Sequence, residues 1–196
     1  IANLVFRPAA NENGDDYDSF TFTINDGTAD SSTTYTMTVN VDAVNDAPTS
    51  TNNTVTTDED TDYTFSTGDF TFSDVDSADT LNHITIVDLP TNGTLYLSGV
   101  EVSAGDEITA ANIANLVFRP AANENGAGYD SFTFTINDGT ADSSSSYTMT
   151  VNVDAVNDAP TITTVSTNDF IEDSTSAGDT VAVFNISDNE TSSSYL

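Results

Sequence analysis

The chain has 196 residues and no cysteine, and 32 acidic residues face two arginines and no lysine, for a formal net charge of -30. Disulfides and cysteine-ligated zinc are therefore excluded, and nucleic acid or an anionic membrane surface would lack the Lys and Arg that bind phosphate. No apolar run reaches the roughly 18 residues of a membrane span, yet at 37% hydrophobic content the chain is too apolar for a disordered acidic tail. Such acidity resists compaction unless salt screens it or divalent cations bind it.

The elements read as nearly all β. Strands are expected at 63–65, 70–72, 83–87, 94–97 and 116–118, with a turn signal at Asn92-Gly93. One helical turn is expected over 109–114, capped by Thr109. Phe132, Phe134 and Ile136 alternate with threonines, as do Tyr147, Met149, Val151 and Val153 with polar residues, so 131–136 and 147–153 read as a hairpin joined by Asn137-Asp138-Gly139. About seven short strands in this length fit a Greek-key sandwich of immunoglobulin type, without its Cys-Trp-Cys hallmark.

Residues 1–48 and 113–160 align without gaps and differ only at Asp15/Ala127, Asp16/Gly128, Thr33/Ser145 and Thr34/Ser146. The period is one sandwich domain in size and far longer than a solenoid repeat. The expected organisation is the C-terminal part of one repeat over 1–48, a complete repeat over 49–160, and the start of a diverged repeat over 161–196. The chain thus reads as a window on a longer array. The alternative is that neighbouring chains complete each other's units by strand exchange.

The acids gather where repeats meet. Asp42, Asn45 and Asp46 precede Pro48, and their copies Asp154, Asn157 and Asp158 precede Pro160. Glu59-Asp60 follows one linker and Glu172-Asp173 the other; Asp74 and Asp76 come next in one unit, Asp188 and Glu190 in the other. The preceding repeat offers Glu12 within Asn11-Glu12-Asn13, and its copy offers Glu124. Hard oxygens from several loops suit Ca²⁺ better than Mg²⁺, and alternate positions of an extended segment point the same way. Asp42, Asn45, Asp46, Glu59, Asp74 and Asp76 are expected to converge on metal. Turn formation and solvated rim charge is the competing account of the same residues.

The linker Asp-Ala-Val-Asn-Asp-Ala-Pro resembles the D-x-N-D-x-x-P junction of cadherins, with Glu59, then Asp74 and Asp76, then Glu12 at the places of that family's other acidic motifs. Asn-Glu-Asn stands where cadherins carry L-D-R-E. The segments NGTLYLSG, GDEITAANIANLVFRPAANENG, DSFTFTINDG and VNDAP resemble more closely the cadherin-like tandem repeats of giant bacterial surface adhesins of RTX type. The resemblance covers most of 1–160 and only loosely the remainder. It implies sandwich domains joined end to end, with Ca²⁺ at each junction stiffening a rod.

The function expected from this is an extracellular, cell-surface or secreted spacer of an adhesin, whose partners are neighbouring repeats of the same chain. A structural subunit of a secreted filament or surface layer is the alternative, as is a polysaccharide-binding module. No enzyme is expected: His83 lies at a strand start with no nucleophile motif, and no carboxylate pair has an apolar pocket to raise its pKa.

Overall fold

A computed structural model describes residues 4–167 and 182–187. The chain opens with a hairpin, β1 (Gly14–Phe22) and β2 (Tyr35–Val41). Then follow β3 (Asn53–Asp58), β4 (Tyr63–Thr64), β5 (His83–Asp88), β6 (Thr94–Leu97), β7 (Val100–Glu101), β8 (Glu107–Thr109), β9 (Leu116–Arg119), β10 (Gly126–Asn137) and β11 (Tyr147–Asp154). The antiparallel pair β12 (Thr161–Thr167) and β13 (Ala182–Ser187) closes the described chain.

Strands β3 to β11 form an all-β sandwich. One sheet has the order β3-β11-β10-β5-β8 and the other β4-β9-β6-β7. Every pairing is antiparallel except β3 with β11, which run parallel from Met149↔Asn53 to Asp154↔Asp58. The two-residue alternation of β10 turns Phe132, Phe134 and Ile136 into the core, and that of β11 turns in Met149, Val151 and Val153. They meet Phe65, Phe70, Ile84, Ile86, Leu95, Ile108, Ile113, Leu116 and Phe118 from the other elements. Edge-on ring contacts join the layers, Phe65 to Phe132 at 5.6 Å and Phe70 to Phe134 at 4.9 Å. Each such side chain contributes about 1.5–3 kcal/mol by leaving water.

Two local expectations change, and one strand was not expected. Residues 70–72 are not a strand, because Ser66-Thr-Gly-Asp69 closes a single 3₁₀ turn. The Asp69 carboxylate accepts from Ser66 N at 2.7 Å and Ser66 Oγ at 3.0 Å, and Phe70 drops from its end into the core. The turn expected over 109–114 is a 3₁₀ helix, Ala110–Asn115; Thr109 holds the capping position with no side-chain bond. Strand β3, with one inward apolar residue, Val55, escapes pattern reading.

The β1–β2 hairpin repeats β10–β11 pair for pair, from Gly14↔Val41 and Gly126↔Val153 to Phe22↔Tyr35 and Phe134↔Tyr147, with the same register shift between. Inside that shift Asp16 sits at φ 52° where its copy is Gly128 at φ 60°, a left-handed site that glycine occupies without strain. The two hairpins differ in cover. Phe132 and Met149 are 1% and 0% exposed, whereas Phe20 and Met37 are 38% and 48% exposed.

Candidate metal centre

The linker leaves β2 and enters the sandwich through a bridge: Thr49 N donates to Ser73 O at 2.8 Å, and Ser73 N to Thr49 O at 2.9 Å. This bridge brings the Asp74-Val-Asp76 segment alongside the linker at Asp46. Asp76 N donates to Asp74 Oδ1 and Asp46 N to Asp76 Oδ2, each at 2.8 Å. A turn then brings Asp79 N to Asp76 O at 2.9 Å. Asp74, Asp76 and Asp79 each offer one carboxylate oxygen, and these atoms lie within 4.8 Å of one another. Oxygens sharing one Ca²⁺ at about 2.4 Å are at most about 4.8 Å apart, so one ion could hold all three.

The hairpin turn closes the other side. Asp138 spends Oδ1 on the turn itself, accepting from Thr140 N at 2.6 Å and Ala141 N at 2.7 Å. Its Oδ2 accepts from Asn45 Nδ2 at 3.0 Å. An open cleft of about 420 Å³ adjoins, lined among others by Asn11, Asn13, Asn45, Asp76 and Asp79.

The electrostatics of the cluster are those of crowded like charges. Asp74 Oδ2 is fully buried and has no hydrogen-bond partner. Such an atom is costly unless something positive meets it. Loss of water pushes the Asp79 carboxyl above its ordinary pKa, and the charges of Asp76, Asp138 and Asp74 add to this. The guanidinium of Arg119 lies elsewhere, paired with Asp62 at 2.7 Å and stacked over Tyr96.

The sequence-derived ligands separate into groups. Asp74 and Asp76 meet; Asp46 touches them through its backbone N–H to Asp76, and the Asn45 amide reaches Asp138. Asp42 is exposed and Glu12 is exposed, accepting from Tyr17 Oη at 3.2 Å. Of the six residues expected to converge on metal, Glu59 is corrected: it stands apart from Asp74 and Asp76. It lies past the far end of β3, where Oε1 accepts from Val156 N at 2.6 Å, Oε2 from Asn125 Nδ2 at 3.1 Å, and its own N–H reaches Asp154 O. The physical reason is that β3 runs the length of the sheet beside β11, which carries Glu59 from the linker that enters the unit to the one that leaves it. Near that second linker lie Glu124, which accepts from Tyr129 Oη, and Asn157, whose Nδ2 reaches Asp158 O at 2.8 Å as Asn45 Nδ2 reaches Asp46 O at 2.7 Å. Asp154 there is exposed. Glu172, Asp188 and Glu190 lie outside the described residues.

Asp79 and Asp138 are the residues that sequence reasoning missed. Asp79 lies just beyond the D-x-D spacing, where a signal existed. Asp138 sits in a turn that its Asn-Asp-Gly chemistry explains completely, so nothing in the sequence marked it.

Among the described residues no helix is long and apolar enough to cross a membrane. The curated proteins and the solved structures contain no match to the chain. A family model described as bacterial Ig domain matches residues 45–154, from the second half of the first linker to the last residue of β11. With more than half of its length matched over an all-β sandwich, the chain belongs to the bacterial Ig domain family.

Proposed function

We propose that this chain is an extracellular spacer segment of a bacterial surface adhesin, in which Ca²⁺ stiffens the joints between Ig-like repeats. The observation that carries the reading is the tie between Asp74, Asp76 and Asp79 and the linker, through Asp46 N–H and through Asn45 to Asp138. An ion held by these carboxylates would join linker, loop and hairpin turn into one body. Without it, like charges oppose one another around an oxygen that has no donor. The ion's charge reverses the sign of that interaction. Asp154, Asn157 and Asp158, with Glu59 and Glu124, would serve the following joint in the same way. The cadherin-like resemblance of the linker adds to this reading, as does the repetition itself, since a faithfully copied unit suits a spacer whose value is length.

The test is thermal unfolding of the whole chain in EDTA and across a Ca²⁺ titration at fixed ionic strength, with Mg²⁺ as control. A ligand at a hundredfold excess over Kd adds about 2.7 kcal/mol, so a rise of about 10 °C that is saturable and specific to Ca²⁺ is expected. Small-angle scattering should show the particle stiffening over the same range. Asp74→Asn with Asp76→Asn should abolish the rise. Equal shifts with any salt would sink the reading and leave the acids as solvated charge.

A further inference from the structure

Glu59 is 3% exposed, the most deeply buried acid among the described residues of a chain with net charge -30. A carboxylate is costly to bury unless donors meet it. Here the donors are uncharged: Val156 N reaches Oε1 at 2.6 Å, and Asn125 Nδ2 reaches Oε2 at 3.1 Å. The turn that presents Glu59 is itself pinned. Glu59 N donates to Asp154 O at 2.8 Å, just past the last rung of the β3–β11 ladder, and Asp60 Oδ1 accepts from Asn123 N at 2.9 Å. Asp60 and Asn123 both take the left-handed conformation, φ 57° and 58°, which short polar side chains tolerate.

Val156 belongs to the linker that leaves the sandwich, beyond the end of β11. Its side chain is 43% exposed, so apolar burial does little to hold it. Its amide, by contrast, ends on a charged oxygen inside the protein, the stronger kind of hydrogen bond.

The linker that enters the sandwich is a copy, with Val44-Asn45-Asp46 for Val156-Asn157-Asp158. Its contacts come from the unit ahead of it. Asn45 Nδ2 reaches Asp138, Asp46 N reaches Asp76, Pro48 is buried, and Thr49 is bridged to Ser73. Overlaid on one linker, the two sets of contacts fall on successive residues. The unit behind holds the valine, and the unit ahead holds the asparagine and aspartate that follow it.

We propose that Glu59 is a metal-free clasp that fixes the path of the exit linker through the Val156 amide. In a joint between two repeats, this clasp and the contacts of Asn45 and Asp46 leave no linker residue between them to serve as a hinge. Glu59 thus acts as a positioning residue through hydrogen bonds to neutral donors. The clasp goes beyond the calcium reading and does not depend on it: an ion would stiffen a linker whose path is already set.

The test is amide exchange of the whole chain in EDTA. The Val156 amide is expected to be protected there, and Glu59→Ala to speed its exchange by about tenfold to a hundredfold, the range for one hydrogen bond to a charged group. Amides of β10 should change less. Glu59→Gln keeps an oxygen for Val156 N and should retain most of the protection, although it removes the charge that a metal would need. Where Glu59→Ala fails to fold, Asn125→Asp sets a second carboxylate against Glu59 and should speed Val156 in the same way. A Val156 amide that is unprotected in EDTA and becomes protected only with Ca²⁺ would overturn the clasp and leave the calcium reading standing. Equal acceleration of Val156 and β10 by Glu59→Ala would also overturn it. Protection in EDTA that Glu59→Ala removes and Ca²⁺ does not change would support the clasp, whatever becomes of the calcium reading.

Discussion

Two stretches of this chain, 14–41 and 126–153, carry almost the same residues and fold to the same hairpin, yet only the second is inside a protein core. Even their loops agree. Asn25 Oδ1 accepts from Gly27 N at 2.7 Å and Asn137 Oδ1 from Gly139 N at 2.6 Å; Asp26 and Asp138 each accept from the amides two and three residues further on. Backbone bonds and side chain-to-backbone turns are local, so they form wherever the sequence occurs. Burial is not local. It needs the opposing sheet, which residues 53–118 supply to one hairpin alone.

Substitutions at matched positions can break this comparison. The largest contrast is expected for Phe132→Ala against Phe20→Ala. The first should lower stability in urea unfolding by about 3–5 kcal/mol, as for other buried aromatic truncations. The second should change it by less than about 1 kcal/mol. Equal losses would show that 14–41 already has a partner in solution.

Asp130→Ala against Asp18→Ala should come next. Removing Asp130 leaves the amides of Thr91, Asn92 and Gly93 without their acceptor. With about 1–3 kcal/mol for each buried donor left unpaired, a loss of at least about 2 kcal/mol is expected. Asp18→Ala should lie within about 0.5 kcal/mol of the parent in the same assay.

A third contrast lies within the acidic cluster. Burial and three like charges hold the Asp79 carboxyl above its ordinary pKa. Its folded form therefore binds the proton more tightly than the unfolded chain does, and stability in EDTA should fall as pH rises from about 4 through that raised value. Asp79→Asn should flatten this slope, raise stability in EDTA at neutral pH and shrink the response to Ca²⁺. A melting temperature in EDTA that drops on this substitution would refute like-charge crowding. Asp138→Asn should act in the same direction on the calcium response, and Asp26→Asn, its copy in the uncovered hairpin, should have no effect on it.

The smallest effect is expected for Asp62→Asn, measured by the same unfolding assay. Arg119 bonds Asp62 twice, at 2.8 and 2.7 Å, and holds its carboxyl below the ordinary pKa. Both partners are well exposed, so the loss should be about 0.2–1 kcal/mol. Because the pKa is lowered in the folded state, this contribution is present above about pH 4 and fades as pH falls through the lowered value.

Reading the sequence went far on strands with strict alternation. Phe132-Thr-Phe134-Thr-Ile136 and 147–153 are such runs, and both hairpin strands lie where the pattern put them. It failed where an element rests on a few contacts made across the sandwich. Val55 is the only inward apolar residue of β3, and the parallel ladder to β11 makes it a strand. Phe70 is apolar and buried, but a four-residue capping box turns its neighbours out of strand geometry.

The same boundary runs through the candidate site. The alternating acids Asp74 and Asp76, and the linker that pairs with them, were legible because their spacing is itself the signal. That Asp79 and Asp138 belong with them, and that Glu59 does not, follows from where strands begin and end in space. By itself the sequence determined the local bonds of each hairpin, the inward and outward faces of its strands, and a charge that calls for cations. Only the tertiary structure decided which of two identical faces is covered and which carboxylates share a corner. Local propensities act within a few residues and repeat with the sequence. Hydrophobic burial and charge crowding depend on what another part of the chain brings alongside.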